Sequence, residues 1–274
     1  MEPPDSAKRT EGLEIALFLL ISFSPKDDAM KDLIKQMLRR TGFELRRRSI
    51  HNSASVQLNR LISYLRIDLV LDVGANVGQY AVGLRENGYA GRIVSFEPLT
   101  AAHARLRNTS RRDKLWQVAP RMALGSMEGE ATLHVAGNSL SSSILRMLPE
   151  HEEAAPGSAV VDTENVPLRR LDNAAREYLL DANALLLKID TQGYENHVLA
   201  GSEGILDQTA AIQVELSFVP LYAGQPLFHQ VQVDLNKRGF RLFALFPGYV
   251  HEMTGQTLQS DGLFVRSDHL TRSA

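Results

Sequence analysis

Cysteine is absent from this 274-residue chain. That excludes disulfides, thiolate metal sites and a cysteine nucleophile together. An excess of charge of one sign is missing too: 30 Lys and Arg stand against 32 Asp and Glu, for a formal net charge of −2. Without a positive field there is no global electrostatic case for a nucleic-acid partner. Long apolar runs are also lacking. The stretch at 13–23, Leu-Glu-Ile-Ala-Leu-Phe-Leu-Leu-Ile-Ser-Phe, has about half the length that crosses a bilayer. The residues before it are not clearly basic and no small-residue cleavage site follows, so it does not read as a signal peptide. A cytoplasmic location fits this composition.

What is present falls into two parts, residues 1–50 and 51–274. In the first, residues 1–10 are polar and Pro25 ends the apolar stretch. The break at Pro25 suggests a chain that truly starts at Met30, with 1–29 an upstream extension. Residues 30–48 carry Lys31, Lys35, Arg39, Arg40, Arg46, Arg47 and Arg48 against Asp32 and Glu44. Met30, Leu33, Ile34, Met37 and Leu38 recur on one helical face. Such a basic amphipathic helix either makes peripheral contact with an anionic membrane or packs across the end of a sheet with its charges in water. The second reading is favoured.

From residue 51 onward, apolar runs of strand length alternate with helical patterns. Strands are expected near 69–73, 92–97, 114–118, 185–190, 211–216, 240–246 and 262–266. The last two form a closing antiparallel pair. Residues 122–135 read as an inserted turn and hairpin, 137–165 as a long polar loop fit to be a lid or binding loop, and 166–171 as a short edge strand around Pro167. Thr100 is the expected N-cap of the helix after the second strand, and Asp172 that of a helix ending near 180. The alternation implies an α/β fold with a doubly wound, mostly parallel sheet, its ligand crevice at the strand carboxyl ends.

The organising stretch is Asp68-Leu-Val-Leu-Asp-Val-Gly-Ala-Asn-Val-Gly-Gln-Tyr80: a buried strand, a tight glycine turn and a helix start. Gly74, Asn76 and Gly78 give Gly-x-Asn-x-Gly, which is not the dinucleotide fingerprint Gly-x-Gly-x-x-Gly. Asp72 just before the turn repels a pyrophosphate and attracts a ligand bearing an ammonium and a sulfonium. A second acid, Glu97, follows about 20 residues after the turn, where a carboxylate takes a ribose diol. Together these favour S-adenosylmethionine over a nicotinamide dinucleotide. The second informative stretch is Leu187-Lys-Ile-Asp-Thr-Gln-Gly193 followed by Glu195. Asp190 sits at a strand end, Gln192 and Glu195 lie in the loop and first helical turn, and Lys188 and Asp190 share one face of a regular strand. With Glu215 this brings several carboxylates to one rim.

With these residues in view, the chain resembles the FkbM family of S-adenosylmethionine-dependent methyltransferases. The resemblance covers about residues 65–267 and is carried by Leu71-Asp-Val-Gly-Ala-Asn-Val-Gly-Gln-Tyr80, Val94-Ser-Phe-Glu-Pro98, Ala123-Leu-Gly125, the serines at 141–143, the Asp190 stretch, Gly239-Phe240 and Asp261-Gly-Leu-Phe-Val-Arg266. It implies a Rossmann-like class I methyltransferase fold and transfer of a methyl group to a hydroxyl of a sugar, glycolipid or polyketide-like metabolite. It also implies that Asp72, Gly74, Asn76 and Gly78 hold the methionine part of the cofactor. Glu97, with Pro98, takes the ribose, and Ala123 to Ser126 lie near adenine, although the family often has an acid where Ser126 stands. Asp190 is the expected base or orienting group, with Lys188 and Glu195 as further catalytic candidates. Gln192, Ser141, Ser142 and Glu215 are the expected acceptor contacts. A divalent metal is weighed and not favoured, since no tight Asp/Asn cluster adjoins Asp190. The competing readings are a nicotinamide oxidoreductase, a non-catalytic cofactor-binding module and a nucleic-acid amino-methyltransferase. Against the last stands Ile189-Asp-Thr-Gln-Gly in place of an Asp/Asn-Pro-Pro-aromatic turn.

Overall fold

The computed structural model describes residues 28–40, 42–44 and 47–270; the apolar stretch at 13–23 lies outside them. The chain divides into two units, residues 1–52 and 53–274. In the first, helix α1 (Asp28–Arg40) carries buried Ile34 and Leu38, while Met37, on the same face by spacing, is 48% exposed. Among the described residues no helix is long and apolar enough to cross a membrane.

In the second unit, α2 (Ala54–Tyr64) leads into β1 (Leu69–Val73), α3 (Gln79–Glu86), β2 (Arg92–Phe96), α4 (Thr100–Ser110) and β3 (Trp116–Val118). The alternation is then interrupted by β4 (Ala123–Leu124), β5 (Gly129–Ala136), α5 (Pro149–Ala154) and β6 (Val160–Arg169). It resumes through α6 (Leu171–Ala174), β7 (Leu185–Ile189), α7 (Glu195–Ala200), β8 (Thr209–Ser217), α8 (Phe228–Lys237), β9 (Phe240–Pro247), β10 (Gln259–Arg266) and α9 (Ser267–Leu270).

The main sheet has the order β3-β2-β1-β7-β8-β10-β9, parallel except for β10, which runs against both neighbours. Strand order reverses direction between β1 and β7, the switch point where doubly wound sheets leave a crevice. The sequences explain why these strands lie innermost. Leu-Val-Leu-Asp-Val and Leu-Leu-Leu-Lys-Ile are buried at every position, as parallel strands covered on both faces must be. Leu69, Leu71 and Val73 join Leu185, Leu187 and Ile189 in one core. Val70 and Leu186 face the other way, against Leu58 and Leu61 of α2 and Leu84 of α3. Each such side chain contributes roughly 1.5–3 kcal/mol by leaving water.

The insertion differs from its sequence reading. Residues 122–135 are not a hairpin: β4 and β5 do not pair with each other but flank β6, in a three-stranded sheet of order β4-β6-β5. The supposed loop 137–165 holds a 3-10 turn (Ser139–Ser141), α5 and the first half of β6. β6 is the centre of its sheet, not an edge. Pro167 is tolerated because β4 pairs only with Leu168 and Arg169. The first half of the strand escaped notice because it is exposed, so no apolar alternation marks it. Thr100 is the first residue of α4 with Leu99 at the cap; its amide and hydroxyl instead bond Glu164 Oε2 at 3.0 and 2.6 Å. Asp172 sits inside the one-turn α6 rather than capping a longer helix.

Candidate active site

At the switch point β1 enters its turn through Gly74, at φ 75°. A Cβ there would lie inside the backbone carbonyl of Asp190, so only glycine lets the two strand ends meet this closely. Asn76 also has positive φ, 47°, a conformation Asn tolerates better than most residues. Its amide donates to Glu97 Oε2 at 2.7 Å, and the Leu99 amide donates to Glu97 Oε1 at 2.9 Å. One buried carboxylate thus fixes the turns after β1 and β2 together. Burial pushes the Glu97 carboxyl up to about 7, against the pull of those two amides. Each of its oxygens keeps a second lone pair for a ligand.

A row of polar side chains crosses the sheet one residue before its carboxyl edge. Register sets Ser95, Asp72, Lys188 and Gln213 side by side on β2, β1, β7 and β8, all facing the α2–α3 layer. Trp116 Nε1 donates to Ser95 Oγ at 3.0 Å and Ser95 Oγ to Asp72 Oδ2 at 3.2 Å. Lys188 Nζ stands 3.3 Å from Asp72 Oδ1 and 3.4 Å from Asp190 Oδ2. Burial alone would push the ammonium down, but Asp190 and Asp72 more than offset it and the net shift is upward. Lys188 is therefore a fixed cation and no proton acceptor. Asp72 is fully buried, which pushes its carboxyl above the usual range despite Lys188.

Beyond this row the strand ends are acidic. Gln192, at φ 54°, sends Nε2 to Asp190 Oδ1 at 2.9 Å and to Glu215 Oε2 at 3.0 Å. Its Oε1 lies 3.0 Å from the Tyr222 hydroxyl. Asp261 is the register partner of Glu215. Desolvation by the surrounding protein, then the charges of Asp190, Glu195 and Asp261, push Glu215 well above the carboxylate range. Burial and the Asp190 charge push Asp261 up to about 6. The result is a buried acid of raised proton affinity among other acids, an arrangement that acid–base sites exploit.

A cavity of about 610 Å³ joins both sides. Gly74, Asn76, Glu97 and Pro98 line one end, and Lys188, Asp190, Gln192 and Glu215 the other; Ser141 and Ser142 border it from the inserted segment. Ala123 lines a small apolar recess of about 60 Å³ that shares Gly74, Pro98 and Asp190 with this cavity. Four expected residues stand elsewhere, Gly78 among them: it lines neither space and is packed against Trp116 and Leu106. Asp72 does not reach the wall, because it is fully buried in the row between Ser95 and Lys188. Glu195 is buried behind the turn, where its Oε1 accepts from the amides of Thr191 (2.9 Å) and Gly193 (3.1 Å). Burial pushes it up to about 7. Ser126 lines neither space; its carbonyl accepts from Arg170 Nη1 at 2.9 Å. His197 stacks on Tyr194 with ring centroids 4.2 Å apart, and its burial pushes the ring's pKa down.

The cavity also holds Tyr249 and, not singled out as site residues by sequence reasoning, Tyr80, Gln213, Asp261 and His151. Tyr80 donates to Gln213 Oε1 at 2.8 Å. The signal available was Gln213 itself, a polar side chain inside the otherwise apolar run Ala-Ala-Ile-Gln-Val. Among the described residues no group of three His, Asp or Glu side chains is placed to hold a metal ion.

The family model described as the methyltransferase FkbM domain matches residues 72–242. The chain belongs to the FkbM methyltransferase family. A curated relative, the 2-O-methyltransferase NoeI of Sinorhizobium fredii, is 30% identical over 189 residues, covering 65% of this chain and 74% of the relative. Among solved structures, magnesium protoporphyrin IX methyltransferase from Synechocystis PCC 6803 is similar at TM-score 0.41 and 10% identity, covering 97% of this chain and 99% of its own. TehB from Haemophilus influenzae is similar at TM-score 0.41 and 11% identity, over 77% and 61%. Likeness at that level says nothing about function. The family match does: this FkbM protein is a methyltransferase.

Proposed function

We propose that the chain transfers a methyl group from S-adenosylmethionine to a hydroxyl of a sugar, glycolipid or polyketide-like metabolite. The observation that carries this is the single cavity joining a glycine turn and a diol-ready carboxylate to a cluster of strand-end acids. A second support is the relative named as a 2-O-methyltransferase, which acts on an oxygen.

In this reading Gly74 and Asn76 hold the methionine part of the donor by backbone approach, and Gly78 lets helix α3 start beside it. Glu97 accepts the ribose hydroxyls, and Pro98 with the Ala123 recess borders the base. Asp72 acts from behind, by fixing Lys188. The negative charge facing a sulfonium comes from Asp190 and its neighbours, since one Lys188 is shared among Asp72, Asp190 and Asp261. When bound, the donor supplies an electrophilic methyl group, so in-line positioning gives much of the acceleration.

The chain's own part is to aim the hydroxyl and take its proton. Asp190, tied through Gln192 on one oxygen and Lys188 on the other, orients the acceptor. Asp261, with a proton affinity near neutrality, accepts the proton as the oxygen loses it. Glu215, its proton affinity raised by burial and by the neighbouring acids, borders the acceptor together with Ser141, Ser142 and Gln192. The test is methyl uptake from labelled S-adenosylmethionine into a panel of glycosides, glycolipids and hydroxylated polyketides. Base-stable label in one class at catalytic turnover is expected. Label found only on amines or nucleic acid contradicts the reading.

A further inference from the structure

A second cleft, of about 260 Å³, lies between α2, α3 and the end of β9. Its walls are mainly apolar, with Leu58 of α2, Leu84 of α3, and Phe246 and Pro247 of β9. It is not separate from the active-site cavity: Gln79, Tyr80, Gln213 and Asp261 line both. The partition between them is the Tyr80–Gln213 hydrogen bond of 2.8 Å, so the cleft ends against the acceptor side and not the Glu97 side.

Gly83 points to an occupant. It lies in the interior of the eight-residue helix α3, where glycine weakens a helix relative to alanine. Neither usual reason for glycine applies. Its φ is not positive, and an added Cβ would meet nothing within 4 Å. Gly83 lines the cleft, so the missing side chain is space left open on its floor.

We propose that the acceptor carries an alkyl or acyl arm, which lies in this cleft across Gly83 while the hydroxyl to be methylated sits at the Tyr80–Gln213–Asp261 junction. This rests on the O-methyltransferase reading above and narrows its acceptors to amphiphiles. The arm gains affinity by leaving water, and the polar row across the strand ends stops it short of the donor end.

The test uses the full chain as wild type, Gly83→Ala and Gly83→Leu. Each is titrated calorimetrically with hexyl, octyl and decyl β-glucoside below their micelle concentrations, and separately with S-adenosylhomocysteine. In the wild type each two added methylenes should tighten binding by about tenfold until the cleft is full. In Gly83→Leu that dependence should flatten to less than threefold, while S-adenosylhomocysteine affinity stays within twofold and the melting temperature does not fall. Gly83→Ala should lie between. An unchanged chain-length dependence in Gly83→Leu overturns the proposal. So does a lowered melting temperature with unchanged glucoside binding, since the chain itself would then fill the cleft. Loss of chain-length dependence in Gly83→Leu alongside no S-adenosylhomocysteine binding in any variant supports the cleft assignment and sinks only the donor reading.

Discussion

On the β1–β2 side of the cavity nearly every polar group is held by backbone or by a paired neighbour: Glu97 takes two amides, Asp72 takes Ser95 and Lys188, and Trp116 anchors Ser95. On the β7–β8–β10 side, Asp190, Glu215 and Asp261 crowd one another, and the neighbouring acids add to burial in pushing Glu215 and Asp261 upward, whereas Asp72 and Glu97 on the first side are pushed up chiefly by burial. The first arrangement is a fixed cradle. The second holds like charges close together, against their own stability, which is how sites that move protons differ from sites that only bind. In the reading proposed above, the first side binds the donor and the second reacts.

Mutations break the contrast in order of size. Asp190→Asn is expected to lower turnover by about 10²-fold, the cost of a misplaced acceptor, while leaving S-adenosylhomocysteine affinity within threefold; comparable losses in both would erase the division of labour. Gly74→Ala forces a Cβ into the Asp190 carbonyl at positive φ, and should destabilise by on the order of 3 kcal/mol with loss of donor binding, read by thermal denaturation and titration. Asp72→Asn removes one of the two carboxylates holding buried Lys188 and should cost about 2 kcal/mol. Its donor affinity should fall less than that of Glu97→Gln, because Asp72 does not line the cavity.

How far the sequence carried depends on the side. The β1 turn and Glu97 lie within one contiguous stretch, so strand, turn and acid were legible from spacing. The Lys188–Asp190 pair was legible for the same reason, since strand alternation puts both on one face, and they stand 3.4 Å apart. The role of Asp72 was not legible, because only the register against Lys188 and Ser95 shows it facing the helix layer. Asp261 and His151 reach the cavity through β10 and α5, and no local pattern announces a residue whose neighbour is far away in the chain. Of β6 only the second half was legible, as the strand expected at 166–171, because its exposed first half has no periodicity.

Acid titration sharpens the comparison with smaller effects. Glu97 is pushed up to about 7, so S-adenosylhomocysteine should bind roughly three- to fourfold tighter at pH 8 than at pH 6, as a charged acceptor strengthens its hydrogen bonds by about 1 kcal/mol. Glu97→Gln should abolish that slope. The kcat of the wild type should rise through about pH 6, where Asp261 ionises, and Asp261→Asn should remove the rise. Stability should move the opposite way. Glu195 and Asp261 bind protons more tightly folded than unfolded. Their contribution is fully present below the ordinary carboxylate range and is lost as pH rises through about 6 and 7. The melting temperature should therefore fall between pH 5 and 8, and Glu215→Gln should raise it by a few degrees at pH 8.

The most direct measurement is calorimetric titration of the purified full chain with S-adenosylmethionine, S-adenosylhomocysteine and NAD in parallel. Saturable one-to-one binding of the first two, weakened at least tenfold by Glu97→Gln, with none for NAD, is the expected result. Tight NAD binding, or no binding of either adenosyl compound, would contradict the account of the glycine turn and Glu97 as the donor's cradle.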